Sequence, residues 1–382
     1  MMREKMNSAV FDLRRSAIRE FAKLAKQTPG CISLTLGEPD FDTPQPIRKQ
    51  AELSLENGET HYIENNGLKA LREKIASFET DRHGFRCSED QVIVTSGATE
   101  ALFVSLFGIL NPDDEVIIPT PAFVLYEEIV KLCRAKAVKL DTSVTGFQIR
   151  KSALEALVTQ RTKAIVLNSP NNPTGTVLDI ESLNAVRLLA MERNLFVICD
   201  DVYNQLIYTD NYHSFTEFED VRDRTILVQS YSKPYAMTGW RMGYLIAPSE
   251  IKERLELVHQ FTVVSTPAPF QKAAVTALDF DPAELRETYR RRRAYMLSRL
   301  RAMDLEVPEP EGAFYMFPSI RKFGIDSSTF CRRMIEEAGL AATPGFCFGS
   351  DDHIRLTYCY SDPELAEGLD RLQSFIRKLE GK

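Results

Sequence analysis

The sequence predicts an α/β fold: a large domain with a mostly parallel sheet between helices, and a smaller α+β domain. Three observations carry that prediction. Apolar runs without alternation, Ala164-Ile165-Val166-Leu167, Leu195-Phe196-Val197-Ile198 and Thr225-Ile226-Leu227-Val228, read as strands covered on both faces. Helical stripes lie between such runs, Leu183, Val186, Leu189 and Ala190 being one, and strands alternating with helices make a parallel sheet. At 382 residues the chain exceeds the usual single-domain size, so two domains are expected.

Taken in order, residues 8–26 read as a short helical arm, with Ile18, Phe21 and Leu24 three apart. The run Cys31 to Leu36 leads into Gly37-Glu38-Pro39-Asp40, where a glycine lets a ligand come close to the backbone. An ordinary turn fits the same residues. Ile47, Ala51 and Leu55 mark a helix, and Leu68, Leu71, Ile75 and Phe78 mark the next. Tyr62 sits in the polar loop between them.

The strand 91–95 is followed by Ser96-Gly97-Ala98-Thr99-Glu100, which opens a helix. Free amides and the positive end of the helix dipole make that junction an anion site. The spacing is neither the Walker pattern nor GxGxxG, and a capped helix without a ligand fits equally. The strand 114–118 ends in a loop that carries Phe123, an aromatic that could stack on a flat ring. The strand 164–168 ends in Ser169-Pro170-Asn171-Asn172-Pro173, a loop fixed by two prolines and a candidate for a cis bond. The next strand ends at Asp200-Asp201-Val202-Tyr203, and a carboxylate there needs a cationic partner. The strand 225–228 runs to Ser230, Ser232, Lys233 and Arg241. An amine beside a hydroxyl and a guanidinium suits a lysine that forms a Schiff base, with a phosphate held nearby.

Residues 281–303 read as one long helix leading to the C-terminal domain, and its run Arg290 to Arg293 reads as a solvated face. Beyond it, Arg355 between Ile354 and Leu356 is an inward arginine on a short strand, placed to bind a carboxylate. At least five strands therefore leave a polar or aromatic group just past their C-terminal ends. In open sheets of this kind ligands bind there, so these residues are expected to converge.

The net charge of −7 gives no support for nucleic acid or membrane surfaces as partners. Seven scattered cysteines form no CxxC pair, which argues against a zinc site or a disulfide framework; no metal is expected. A cytoplasmic setting fits. The first residues lack the apolar core of a signal peptide, and the longest apolar run, 101–110, is too short to span a bilayer.

The ordered motifs SYSKPYAMTGWRMGY, SPNNPTG, CDDVY, TSGATEAL, GEPDFDTP and HIRLTYC resemble the pyridoxal-phosphate-dependent class I/II aminotransferases, the aspartate aminotransferase superfamily. The resemblance runs from about residue 18 to the C-terminus and is nearest to the bacterial branch of aspartate, aromatic and N-acetyl-diaminopimelate aminotransferases. It implies PLP fold type I. Residues 1–44 would be an arm and part of the small domain, 45–280 the large cofactor-binding domain, and 281–382 the small C-terminal domain. It also implies roles. Lys233 bonds the cofactor covalently, Asp200 faces its ring nitrogen, and Asn172 and Tyr203 meet its phenolic oxygen. Phe123 stacks on the ring. Gly97, Ala98, Thr99, Ser230, Ser232 and Arg241 hold the phosphate, with Tyr62 reaching across from a second subunit. Gly37, Asn172 and Arg355 receive the substrate carboxylate. Lys233, Asp200 and Tyr203 are the catalytic set.

The expected reaction moves an amino group from an amino acid to a 2-oxo acid, 2-oxoglutarate foremost, by a ping-pong route in a homodimer. The alternative is a C–S lyase of the cystathionine β-lyase type, using the same lysine and aspartate. A transcription regulator with this domain would carry a DNA-binding module ahead of the arm. Some aspartate-using members have lysine where this chain has Thr99, which weakens an aspartate assignment.

Overall fold

The computed structural model describes residues 2–13 and 15–381. The expected arm at 8–26 includes Arg14, which lies outside the described residues, as do Met1 and Lys382. In chain order the elements are α1 (Ala17–Gln27), β1 (Ile32–Ser33), α2 (Gln45–Glu56), α3 (Lys69–His83), β2 (Val92–Thr95), α4 (Gly97–Ile109), β3 (Glu115–Thr120), α5 (Leu125–Leu132) and β4 (Lys136–Asp141). There follow α6 (Lys151–Glu155), β5 (Thr162–Asn168), α7 (Ile180–Arg193), β6 (Phe196–Asp200), β7 (Thr225–Ser230), β8 (Gly243–Ile246), α8 (Ser249–Val263) and α9 (Ala268–Ala277). The last are α10 (Ala283–Ala302), β9 (Tyr315–Met316), α11 (Ser327–Ala338), β10 (Leu340–Ala341), β11 (Thr343–Pro344), β12 (Ile354–Thr357) and α12 (Asp362–Leu379).

Seven strands form the main sheet in the order β2-β8-β7-β6-β5-β3-β4. Only β8 runs against its neighbours, β2 and β7. Successive strand residues serve opposite cores, as the pleat requires. Val197, Cys199 and Leu227 join one cluster, with Ile75 of α3 and Leu183 of α7. Ile198, Ile226 and Val228 join the other, with Val104 of α4 and Ile129 of α5. Both faces are thus covered, which is why these strands read as unbroken apolar runs.

A third core gathers α10, α11, α12, β9 and β12, and takes in Phe21, Ala25 and Leu34 from the start of the chain. Within the run 31–36 the pair Ile32–Ser33 forms a strand, parallel to β10. Thr35 leaves the ladder because its carbonyl accepts instead from the side chains of Thr343 and Arg355. The reading of 290–293 as a solvated face needs correction. Arg292 is buried and bonds Asp40 twice, both at 2.8 Å, and Asp362 at 3.0 Å. A run of like charges reads as solvated, yet one of its positions turns inward where two carboxylates from distant segments meet it.

Candidate active site

The five strand ends converge. One cavity of about 320 Å³ lies at the carboxyl edge of the sheet, lined by Gly37, Ala98, Thr99, Phe123, Asn172, Asp200, Tyr203, Ser230, Ser232, Lys233, Arg241 and Arg355. Its floor is set by strands and its walls by helix starts, so the polar groups sit on rigid elements.

The β2–α4 junction supplies the anion cradle. Gly97 has φ +75°, and a Cβ there would lie 2.6 Å from Nη2 of Arg241. A Cβ on Gly243 would lie 2.8 Å from the amide of Ala98. Both glycines let a guanidinium and a second strand close on the first turn of α4. Glu100 steadies that turn: it accepts from the amide of Ser96 and faces Nδ1 of His259 at 2.7 Å. Nε2 of His259 is 2.7 Å from the carbonyl of Asn65. Ser230 accepts from the amide of Ser232 at 3.1 Å.

Asp200 closes β6. Asn168 ties its backbone from β5, donating to the Asp200 carbonyl at 2.8 Å and accepting from the amide of Asn172 at 2.8 Å. One carboxylate oxygen, Oδ2, accepts from the Tyr126 hydroxyl at 2.5 Å. The other, Oδ1, is buried and has no partner among the described residues. Burial raises the carboxyl's pKa to about 6, against the lowering effect of Tyr126, the Val202 amide and Lys233.

Lys233 forms no ion pair with a carboxylate among the described residues, although Asp200 and Glu38 are near enough to act on it through space. Its amine donates to the carbonyl of Gly37 at 2.6 Å and lies 5.6 Å from the Phe314 ring centre. Burial lowers its pKa to about 8, and the guanidiniums of Arg355 and Arg241 push the same way. At pH 7 about a tenth of the amine is then neutral, far more than for an ordinary lysine.

Arg355 is 2 % exposed and lies over Tyr315, 4.6 Å from the ring centre. Nη1 donates to Asn172 at 2.8 Å and Nη2 to the Thr35 carbonyl at 2.6 Å, while Nε is buried without a partner. The Tyr203 hydroxyl is 2.6 Å from that of Tyr315. Phe123 meets Tyr126 edge to face, ring centres 6.1 Å apart. Tyr62 stands apart from this cavity, 89 % exposed.

Three residues of the site escaped the sequence. Tyr126, three residues past Phe123 at the start of α5, carries an ordinary helical aromatic's signature. Tyr315 sits in an apolar strand, and Asn168 passes for a strand end. Burial with a hydroxyl or amide attached was the available signal, and in sequence it is indistinguishable from core.

Two buried polar atoms without partners belong to Asp200 and Arg355, which line the same cavity as a low-pKa amine and a helix start that attracts anions. An acceptor, Asp200 Oδ1, calls for a protonated ring nitrogen; the helix start calls for a phosphate; the amine calls for an aldehyde. Pyridoxal phosphate carries all three, and the residues fit it.

A family model for aminotransferase class I and II matches residues 29–372. A probable N-acetyl-LL-diaminopimelate aminotransferase of Bacillus subtilis is 38 % identical over 99 % of this chain and 97 % of its own length. The solved aspartate aminotransferase of Thermotoga maritima superposes with a TM-score of 0.94 at 35 % identity, covering 97 % of this chain and 100 % of the other. The aromatic aminotransferase of Pyrococcus horikoshii gives 0.89 at 37 % identity, covering 94 % and 100 %. The activities these names print are amino transfer, which favours that reading over a C–S lyase. The chain belongs to the class I and II aminotransferases of PLP fold type I, and it is a pyridoxal-phosphate-dependent aminotransferase.

Proposed function

We propose that this enzyme passes an amino group from an amino acid to 2-oxoglutarate by a ping-pong route, the first 2-oxo acid leaving before the second enters. The observation that carries the reading is the partnerless Oδ1 of Asp200, a residue lining the same cavity as Lys233 and as Arg355, whose Nε also lacks a partner. Bound pyridoxal phosphate would supply an electron sink and a carrier for the amino group.

The chain's own residues do the rest. Asp200, ionised above about pH 6, would keep a bound ring nitrogen protonated. Asn172 and Tyr203 would hold its phenolic oxygen and Phe123 would cover the ring. Gly97, Ala98, Thr99, Ser230, Ser232 and Arg241 would hold the phosphate. Arg355 offers Nε to the substrate's α-carboxylate, with Asn172 and Gly37 beside it. Lys233, with its pKa near 8, would serve as the general base at the substrate's α-carbon and hold the proton it removes there.

A homodimer belongs to this reading. Tyr62 is 89 % exposed and Phe261 83 %, and Phe107 is half exposed. The loop with Tyr62 and the helix with Phe261 are tied to each other through Asn65 and His259. Such an exposed apolar face suits a second copy, to whose phosphate site Tyr62 would reach. The division at residues 44 and 280 accords with the separate core that both chain ends share. The cytoplasm accords with seven free cysteines.

The test pairs a panel of amino acids with 2-oxoglutarate and compares Arg355→Ala with the wild type. The expected result is a rise of about a hundredfold in KM with cofactor affinity nearly kept, because a buried charge-assisted contact is lost. Equal loss of cofactor and substrate would refute the assignment of Arg355.

A further inference from the structure

The cavity is lined by four cations, Arg19, Lys233, Arg241 and Arg355, against one carboxylate, Asp200. Three of the cations have tasks in the reading above: the aldehyde, the phosphate and the α-carboxylate. Arg19 has none. It makes no ion pair with any carboxylate among the described residues, although its neighbour Glu20 is held by Arg332 at 3.0 Å.

Its placement is fixed by what precedes it. Ile18 is 8 % exposed and packs with Phe317 and Phe348, the latter also lying 4.9 Å from the Arg355 guanidinium. Arg19 therefore leaves a turn of α1 anchored on Phe348, which Arg355 also touches, and it lines the cavity together with Arg355 and Gly37. Outward, Arg19, Lys23 and Lys26 line an adjoining cleft with Gly37, Glu38 and Lys233. The three cations are four and three residues apart, on one helix face. The single acid of that cleft, Glu38, is bonded by the Thr238 hydroxyl. The rim thus presents an excess of positive charge beyond the place where an α-carboxylate would bind.

We infer that Arg19, backed by Lys23 one turn further along α1, receives the side-chain carboxylate of a dicarboxylic amino acid or 2-oxo acid. The inference rests on the proposed reading of the site and names its substrate class. Arg355 has one free donor nitrogen and is committed to the α-carboxylate. A second carboxylate in the substrate needs a second cation, and Arg19 is the one left over. Its guanidinium can take a carboxylate in two parallel hydrogen bonds. It is exposed rather than buried, so its effect is modest and falls with added salt.

The test uses holoenzyme and two donors of equal carbon count, glutamate and norvaline, with pyruvate as the fixed acceptor. Arg19→Gln should raise KM about three- to fivefold for glutamate, while kcat and the norvaline constants change less than about 1.5-fold. Arg19→Lys should recover part of the loss, and Lys23→Ala should give a smaller rise. Calorimetry with glutarate and pentanoate gives a readout without turnover: only glutarate should weaken in Arg19→Gln. Equal effects on both donors, or on neither, overturn the inference and reduce Arg19 to a surface charge. A wild type that transfers from neither donor and binds neither acid overturns the reading of the site itself, and the inference with it.

Discussion

Tyr126→Phe removes one oxygen atom and leaves the aromatic packing in place. The hydroxyl is a donor at 2.5 Å from Asp200 Oδ2, and both groups are buried. After the change both carboxylate oxygens of Asp200 lack a hydroxyl donor. A hydrogen bond to a charged group is worth about 1.5–3 kcal/mol. At 1.36 kcal/mol per unit that is about one to two pKa units, which carries Asp200 from about 6 to roughly 7–8. The variant's carboxyl would then be largely neutral at pH 7, where the wild type is largely ionised. Two assays read this. Cofactor affinity should fall about tenfold at pH 6.5–7 and return to the wild-type value by about pH 9, where both carboxyls are ionised. In the cofactor-free protein the sign runs through stability. The folded pKa is raised above the ordinary 3.8, so stability is lost as pH rises from there to about 6. In the variant that loss should continue to roughly pH 8. An Asp200→Asn control should show neither dependence. Superimposable pH profiles for Tyr126→Phe and wild type would refute the claim that this hydroxyl keeps Asp200 ionised.

Lys233→Met should abolish the visible absorbance of covalently held cofactor and yet stabilise the cofactor-free protein at pH 7 by about 1–3 kcal/mol, because a buried amine with its pKa lowered from 10.5 to about 8 is removed. That gain should shrink between pH 8 and 10.5, since the folded wild type sheds its proton before the unfolded chain does; a constant gain in denaturation scans would count against the burial argument. Arg292→Ala should cost roughly 2–3 kcal/mol in urea unfolding, less than a fully enclosed ion pair because Asp362 is half exposed. A change under about 0.5 kcal/mol would show that the Asp40 contacts at 2.8 Å contribute nothing net.

The sequence by itself determined five of the seven strands of the main sheet, their shared direction and the edge where the chemistry gathers; the edge strand β4 and the antiparallel β8 were not legible in it. Unbroken apolar strands can exist only with both faces covered, and a strand that ends in Asp200, or is followed within a few residues by Asn172 or Lys233, must deliver that group to the carboxyl edge. Those are local properties, legible from the spacing of neighbouring residues. Which groups then touch was decided by the tertiary structure. Tyr126 reaches Asp200 across 74 positions, and Arg355 reaches Asn172 across 183. The inward turn of Arg292 depends on Asp40, 252 positions away. Periodicity reports the face on which a side chain stands. Its partner is set by crossover connections that pack one strand end against another, and those distances are properties of the folded chain alone.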